Sequence, residues 1–245
     1  MVRYPSCGRE LRAWVARPAF SSSEKRPVLV YFHGSYSFTR HDMLLCEPFV
    51  EAGFIVMTPM LRGENGNPGD FEMYMGEVDD ARNAVRWIAN QEGVDASHIY
   101  TFGHSAGGVI SALLSLFDDY PVRLTGSSGG LYGSHLFPYD KMTPFDTSNP
   151  RESELRSLIG NVRDMKQRHI AYVGSKDKYQ EAHAAWAEQP GHSRLTIHTL
   201  EGGHFSVLPE SIDLYLHDVI ADMGPAASEL NQHRVLVLSS ARAKK

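Results

Sequence analysis

The sequence has few cysteines and no large excess of either charge. Only Cys7 and Cys46 occur in 245 residues. Neither belongs to a C-x-x-C pair, so the spacing indicates no zinc site, and two buried or free thiols are expected rather than a structural disulfide. The formal net charge is −5, and no basic patch is interleaved with aromatic residues. Both features argue against nucleic acid or an anionic membrane surface as the main partner.

The sequence also lacks long apolar runs. No stretch approaches the roughly 20 apolar residues of a membrane helix. Residues 1–8 lack the apolar core of a signal peptide, so a cytoplasmic location is expected for the chain as given. Hydrophobic residues make up 42% of the chain and charged residues 22%, which is typical of a globular protein with a full core. The length fits a single α/β domain over residues 1–245.

Apolar, strand-like runs alternate with amphipathic helical runs along the chain. An edge hairpin within 2–17 precedes two continuous apolar runs, 27–32 and 54–58, that are typical of central parallel strands. The alternation predicts an α/β fold with a mostly parallel, doubly wound sheet and helices on both faces. Further strands are predicted at 99–103, 122–126, 169–174, 194–200 and 234–238, and helices near 41–52, 78–89, 109–117, 151–167, 181–187 and 212–223.

Two segments show no such pattern. Residues 127–150 are rich in Gly, Ser, Pro and aromatic residues without a clear period, so a cap or substrate loop is expected there. Residues 224–245 are expected to form a C-terminal tail.

One short motif lies between a β-rich run and a helical run, namely Gly103-His104-Ser105-Ala106-Gly107. A tight strand-to-helix turn would force Ser105 into a strained conformation, and the small neighbours would leave room for the adjacent chain. The hydroxyl would then stand above the sheet edge at a helix N-terminus, where N–H groups favour negative charge. This context predicts a nucleophilic serine. The alternative is a glycine-rich turn with an incidental serine.

Asp177 and His204 each follow a later predicted strand, which is where ligand sites lie in open α/β sheets. A serine hydroxyl needs a base, and His204 would take its proton and then protonate the leaving group. Asp177 would hold the imidazole tautomer and stabilise the imidazolium. The alternative is that Asp177 caps a helix and that Asp164 or Glu201 takes its place.

The oxyanion of a tetrahedral intermediate needs two donors about 3 Å away. The backbone N–H of Ala106 would supply one if the turn forms. The loop after strand 27–32 is the expected source of the second, and we assign it to the N–H of Ser35. This chemistry requires no cofactor.

The other histidines near these motifs have structural interpretations. His104 is expected to pack under the turn, because neighbouring residues there point apart. His33 is expected to organise its loop by hydrogen bonding. A metal site built from His33, His104 and His204 lacks the supporting ligand spacing.

Four motifs together resemble the α/β-hydrolase superfamily: His33-Gly34, Gly103 to Gly108, Gly174 to Asp177, and Gly202 to His204. Two further motifs, Pro59 to Glu64 and Val78 to Ala81, resemble the catalytic domain of the prolyl oligopeptidase family. The resemblance covers roughly residues 25–220. It implies an α/β-hydrolase fold, and it implies a Ser105–Asp177–His204 triad in that family's order.

The chain departs from this family in ways that bear on its substrate. Peptidases of the family usually carry a large β-propeller before the hydrolase domain, whereas here a central strand begins near residue 27. The tyrosine that some members use in the oxyanion hole has no certain counterpart, although Tyr36 lies nearby. We expect Gly34 and Tyr36 to contact the substrate. Dienelactone hydrolases share the compact size, but their nucleophile is cysteine.

The expected function is therefore that of a serine hydrolase. It would cleave carboxylic esters, or small amides or peptides, through an acyl-enzyme intermediate. The expected partner is a small ester or peptide, not nucleic acid or a membrane. The alternative is a non-catalytic ligand-binding protein with the same fold.

Overall fold

The computed structural model describes residues 1–18, 25–35, 37–137, 143–178 and 194–230. Its strands are β1 (Val2–Ser6), β2 (Arg9–Ala16), β3 (Arg26–Phe32), β4 (Ile55–Pro59), β5 (Val94–His104), β6 (Leu124–Ser128), β7 (Arg168–Gly174) and β8 (Leu195–Leu200). Together they form one sheet in the order β1-β2-β4-β3-β5-β6-β7-β8.

The central part of the sheet is parallel. β3 pairs in parallel with both β4 and β5, and parallel pairing continues through β6 and β7 to β8. The β1–β2 hairpin is antiparallel and joins β4 antiparallel at the sheet edge. The predicted mostly parallel sheet is thus confirmed, and the carboxyl ends of β3 to β8 lie along one rim.

The helices are α1 (Arg40–Leu45), α2 (Glu47–Ala52), α3 (Gly76–Ala89), α4 (Ala106–Leu114), α5 (Pro150–Leu155) and α6 (Leu208–Met223). α3 and α4 bury one face of the sheet, while α2 and α6 bury the other. The prediction of helices on both faces is therefore confirmed. Within the described ranges, no helix is long and apolar enough to cross a membrane.

Several predicted bounds are wrong. The helix expected over 41–52 is two short helices that meet at Cys46, because Pro48 lies in the first turn of α2 and cannot continue the preceding hydrogen bonding. The helix expected over 151–167 ends at Leu155 and is followed by a 3₁₀ turn at Val162–Asp164. Gly160 between them has φ 95°, a left-handed conformation that interrupts a helix.

The remaining predictions divide between described and undescribed residues. Within 127–150, the first two residues complete β6, a 3₁₀ turn covers Ser134–Leu136, and residues 138–142 lie outside the described residues. The predicted helix at 181–187 and strand at 234–238 also lie outside them. Residues 224–229 form a 3₁₀ turn after α6. Cys7 is exposed, Cys46 is buried, and both are free thiols.

A buried ion pair connects the loop after β4 to α3. The Arg62 backbone N–H and side-chain Nε donate to Asp80 Oδ2 at 3.0 and 2.9 Å, and its terminal nitrogen donates to Oδ1 at 3.0 Å. The Asp80 side chain is completely buried and also accepts a hydrogen bond from the Ser6 hydroxyl. Such bidentate geometry fixes the loop against the helix. Arg62 and Asp80, which belong to the motifs Pro59 to Glu64 and Val78 to Ala81, therefore have a structural role here.

Candidate active site

Ser105 occupies the single-residue turn between β5 and α4. Its backbone lies at φ 53° and ψ −116°, which is the strained conformation predicted from the motif. The Ser105 N–H donates to the carbonyl of Ser128 at 3.0 Å, which ties the turn to the end of β6.

The two glycines of the motif are required by close backbone approach. A Cβ on Gly103 would stand 2.1 Å from the Gly107 carbonyl oxygen. A Cβ on Gly107 would stand 2.1 Å from the carbonyl oxygen of Phe32 at the end of β3. Any larger residue would force the turn away from the neighbouring strand, so these positions fix how closely α4 approaches β3.

Asp177 and His204 are brought together at the same rim of the sheet. His204 Nδ1 lies 2.7 Å from Asp177 Oδ2. The Asp177 side chain is 1% exposed and that of His204 is 23% exposed, so the pair is shielded while part of the imidazole reaches solvent. A carboxylate on Nδ1 leaves Nε2 as the ring nitrogen that is free to accept a proton.

The other carboxylates considered for this position lie elsewhere. Glu201 is exposed, pairs with Lys176 at 2.5 Å and accepts a hydrogen bond from Ser175. Asp164 lies in the 3₁₀ turn before β7. The structure therefore gives His204 the partner that the sequence favoured.

Ser105 and the His204 ring both contact the chain where β6 ends. Ser105 bonds to Ser128, and the His204 ring lies against the next residue, Gly129, where a Cβ would stand 2.9 Å from Nδ1. Among the hydrogen bonds of the described residues, none joins Ser105 Oγ to the His204 ring. Catalytic hydrogen bonds are often long before substrate binds. The hydrogen bond between Ser105 Oγ and His204 Nε2 stays a prediction.

His104 supports the loop that carries His204. Its Nε2 lies 3.1 Å from the His204 backbone carbonyl, and the two rings lie 4.9 Å apart. Burial lowers the pKa of His104 to about 4, so it is neutral near pH 7 and donates from Nε2. His104 thus packs beside the turn, as expected from the sequence.

His33 organises the loop after β3. Its Nε2 lies 3.0 Å from Glu64 Oε1 and its Nδ1 lies 2.9 Å from the Gly34 carbonyl. Burial lowers the pKa of His33, but the hydrogen bond and charge of Glu64 outweigh it and raise the pKa overall. The predicted loop-organising role agrees with these contacts.

The two residues predicted to supply oxyanion donors line one cavity. Ser35, at φ 65°, and Ala106, the first residue of α4, both contribute to its wall. Gly34 approaches the nucleophile, since a Cβ there would stand 3.4 Å from Ser105 Cβ. Tyr36 lies outside the described residues.

This cavity has a volume of about 520 Å³ and a largely apolar wall. Sequence reasoning assigned no role in a site to five of its lining residues: Phe71, Met73, Tyr74, Glu77 and Ile110. Met73 and Tyr74 are consecutive residues at φ 50° and 71°, a strained conformation with no periodic sequence signal. The buried Glu77 carboxylate accepts from the Glu72 N–H at 2.7 Å, and burial raises its pKa.

No group of three or more His, Cys, Asp or Glu residues could hold a metal ion in the part of the chain that the structure describes.

The structure is similar to Est1E of Butyrivibrio proteoclasticus, solved with ferulic acid bound. The two share 17% sequence identity with a TM-score of 0.71, over 90% of this chain and all of Est1E. The chain has the α/β-hydrolase fold.

Sequence comparisons add one family profile and two similar proteins. The profile described as X-Pro dipeptidyl-peptidase (S15 family) matches residues 8–123 of this hydrolase-fold chain. An uncharacterized peptidase of Bacillus subtilis, YtmA, is 31% identical over 28% of the chain. The esterase LipI of Mycobacterium tuberculosis is 31% identical over 40%. The matched segments span only 26% and 31% of these two relatives' lengths.

Proposed function

We propose that this protein is a serine hydrolase that cleaves carboxylic esters, or small amides and peptides, through an acyl-enzyme intermediate. The observation that carries the proposal is the strained Ser105 turn beside a buried Asp177 that is hydrogen-bonded to His204. The similarity to esterases and peptidases supports the same reaction class.

Each residue has a defined part in this proposal. His204 Nε2 accepts the Ser105 proton as Oγ forms a bond to the substrate carbonyl carbon. Asp177 stabilises the imidazolium that results. His204 then returns the proton to the leaving group, whose bond to the acyl carbon breaks. Water repeats the sequence on the acyl-enzyme and releases the acid.

The oxyanion would be held by the backbone N–H groups of Ala106 and Ser35. Both residues line the apolar cavity, which supports the cavity as the place for the acyl group. Donors already held by the turn and by α4 need no rearrangement when charge develops on the carbonyl oxygen.

The direct test is covalent labelling with a fluorophosphonate, paired with hydrolysis of a p-nitrophenyl ester. Wild-type protein should take up one label, mapped to Ser105 by peptide mass spectrometry, and Ser105→Ala should take up none. Ser97→Ala, which changes an exposed serine in the first half of β5, is the matched control and should behave as wild type.

If folded wild-type protein neither takes up the label nor hydrolyses any ester, the proposal is wrong. Ligand binding that survives Ser105→Ala, without turnover, would instead favour the non-catalytic binding protein.

A further inference from the structure

Phe205 is a large apolar side chain that is exposed directly beside His204. Its side chain is 76% accessible to solvent. The Phe205 ring stands perpendicular to the His204 imidazole, at 89° with centroids 4.9 Å apart, and lies 5.5 Å from the His104 ring. An exposed apolar ring gains little from folding, because most of its surface stays in water. What distinguishes Phe205 from the other exposed apolar side chains of the described residues is its contact with His204, which makes it a candidate for contact with substrate.

The backbone that carries Phe205 is held in a turn. The Gly203 N–H donates to Ser206 Oγ at 2.9 Å, and the Leu208 N–H donates to the Phe205 carbonyl at 3.3 Å, where α6 begins. The edge contact with the His204 ring further restricts the phenyl group. A ligand that stacks on this ring would lose little conformational freedom of the protein, which favours binding.

The position of Phe205 relative to the reaction indicates which part of a substrate it meets. The 520 Å³ cavity is lined from β3, β4, α3, α4 and the loops after β3 and β4. Phe205 and His204 belong instead to the loop between β8 and α6. A leaving group must face the imidazole, because His204 protonates it. The acyl group then points away from His204, into the cavity.

We propose that Phe205 is a specificity-determining residue that stacks on the leaving group and selects esters of aromatic alcohols. This inference rests on the proposed function of Ser105, Asp177 and His204. Aromatic rings prefer offset or edge contacts with centroids 4.5–7 Å apart, and the exposed face of Phe205 is open to such a partner.

The same surface would then serve the reverse step. When an aromatic alcohol attacks the acyl-enzyme, its oxygen bonds to the acyl carbon as the Ser105 Oγ–acyl bond breaks. The alcohol proton passes to His204 and on to Oγ, so an ester and free enzyme result. Phe205 should therefore favour an aromatic alcohol over water as the acceptor.

The experiment compares benzyl acetate with ethyl acetate, which share an acyl group and whose unactivated leaving groups both need the proton from His204. We expect Phe205→Ala to lower the benzyl-to-ethyl ratio of kcat/KM about fivefold, the scale of one aromatic contact. Phe205→Tyr should keep the wild-type ratio because it retains the ring. Leu155→Ala, which removes an exposed apolar side chain on α5, is the matched control and should also keep it.

A second measurement follows the acyl-enzyme itself. With p-nitrophenyl acetate as donor, added benzyl alcohol should yield benzyl acetate, and Phe205→Ala should lower the ratio of benzyl acetate to acetate about fivefold.

Two results would overturn the proposal. One is an equal loss on benzyl and ethyl esters, which would make Phe205 only a support for His204. The other is that Phe205→Ala changes neither the benzyl-to-ethyl ratio of kcat/KM nor the ratio of benzyl acetate to acetate. Fluorophosphonate labelling of Ser105 in the same variants separates either result from failure of the proposed function, since labelling persists if only the assignment of Phe205 is wrong.

Discussion

Replacing Asp177 by Asn removes one charge at the proposed active site while keeping the size of the side chain. The carboxylate lies 2.7 Å from His204 Nδ1 and is 1% exposed. Two unit charges about 4 Å apart interact by about 4 kcal/mol at an effective dielectric constant of about 20. That energy would be lost from the imidazolium formed in the transition state. It corresponds to a fall in kcat/KM of about 10³.

A second effect acts in the same direction. An Asn amide can donate to Nδ1, which places the imidazole proton on Nε2 and leaves no acceptor for Ser105, so the fall could approach about 10⁴. The assay is p-nitrophenyl acetate hydrolysis at pH 7.5, with thermal unfolding measured in parallel to verify that the variant is folded.

The matched control is Glu201→Gln. Glu201 is also a carboxylate near His204 in sequence, but it is 76% exposed and pairs with Lys176. We expect less than a twofold change, because exposed pairs contribute little. The reasoning is refuted if folded Asp177→Asn retains more than a tenth of wild-type kcat/KM, or if Glu201→Gln loses as much activity as Asp177→Asn.

Two further predictions concern stability. Asp80→Ala leaves the buried Arg62 charge without its main partner and should lower the free energy of unfolding by about 3–5 kcal/mol in urea denaturation. Asp79→Ala, on the exposed face of α3, is the control and should change that free energy by less than about 0.5 kcal/mol. Similar losses in the two variants would contradict a structural role for the Arg62–Asp80 pair. The pKa of His104 falls to about 4 on folding from about 6.5 when unfolded, so the unfolded state binds more protons as pH drops. The contribution of His104 to the free energy of unfolding is therefore complete above pH 6.5. It decreases towards pH 4 by up to about 3 kcal/mol. The raised pKa of His33 has the opposite effect on the pH dependence of stability. The assay therefore compares urea unfolding at pH 7.5 and pH 5 between wild type and His104→Asn, in which only the contribution of His104 is lost. Equal pH dependence in both proteins would contradict this assignment.

The nucleophile turn could be predicted because its causes are local. Gly103 and Gly107 are needed within a few residues of Ser105, where the chain passes from strand to helix. The continuous apolar run before His33 likewise carries enough signal to be a central strand. Such features depend on backbone sterics and on short-range periodicity, which the order of residues states directly.

The prediction of a helix over 151–167 is wrong because the periodic apolar residues in this segment are buried for another reason. Leu158, Val162 and Met165 are buried in one cluster with Tyr132, but from a turn around Gly160 rather than from a helix face. Periodicity reports which side chains are buried and does not by itself distinguish a helix from a packed turn.

The sequence alone determined the strand–helix alternation, the strained serine turn and the chain order of the candidate triad, because each follows from neighbouring residues. Only the tertiary structure decided that Asp177, and not Glu201, meets His204. It also decided that Met73 and Tyr74 line the cavity and that Phe205 is exposed beside the imidazole of His204. The Asp177–His204 contact and the cavity wall join segments that are separated in the chain, and the exposure of Phe205 depends on how the loop between β8 and α6 packs.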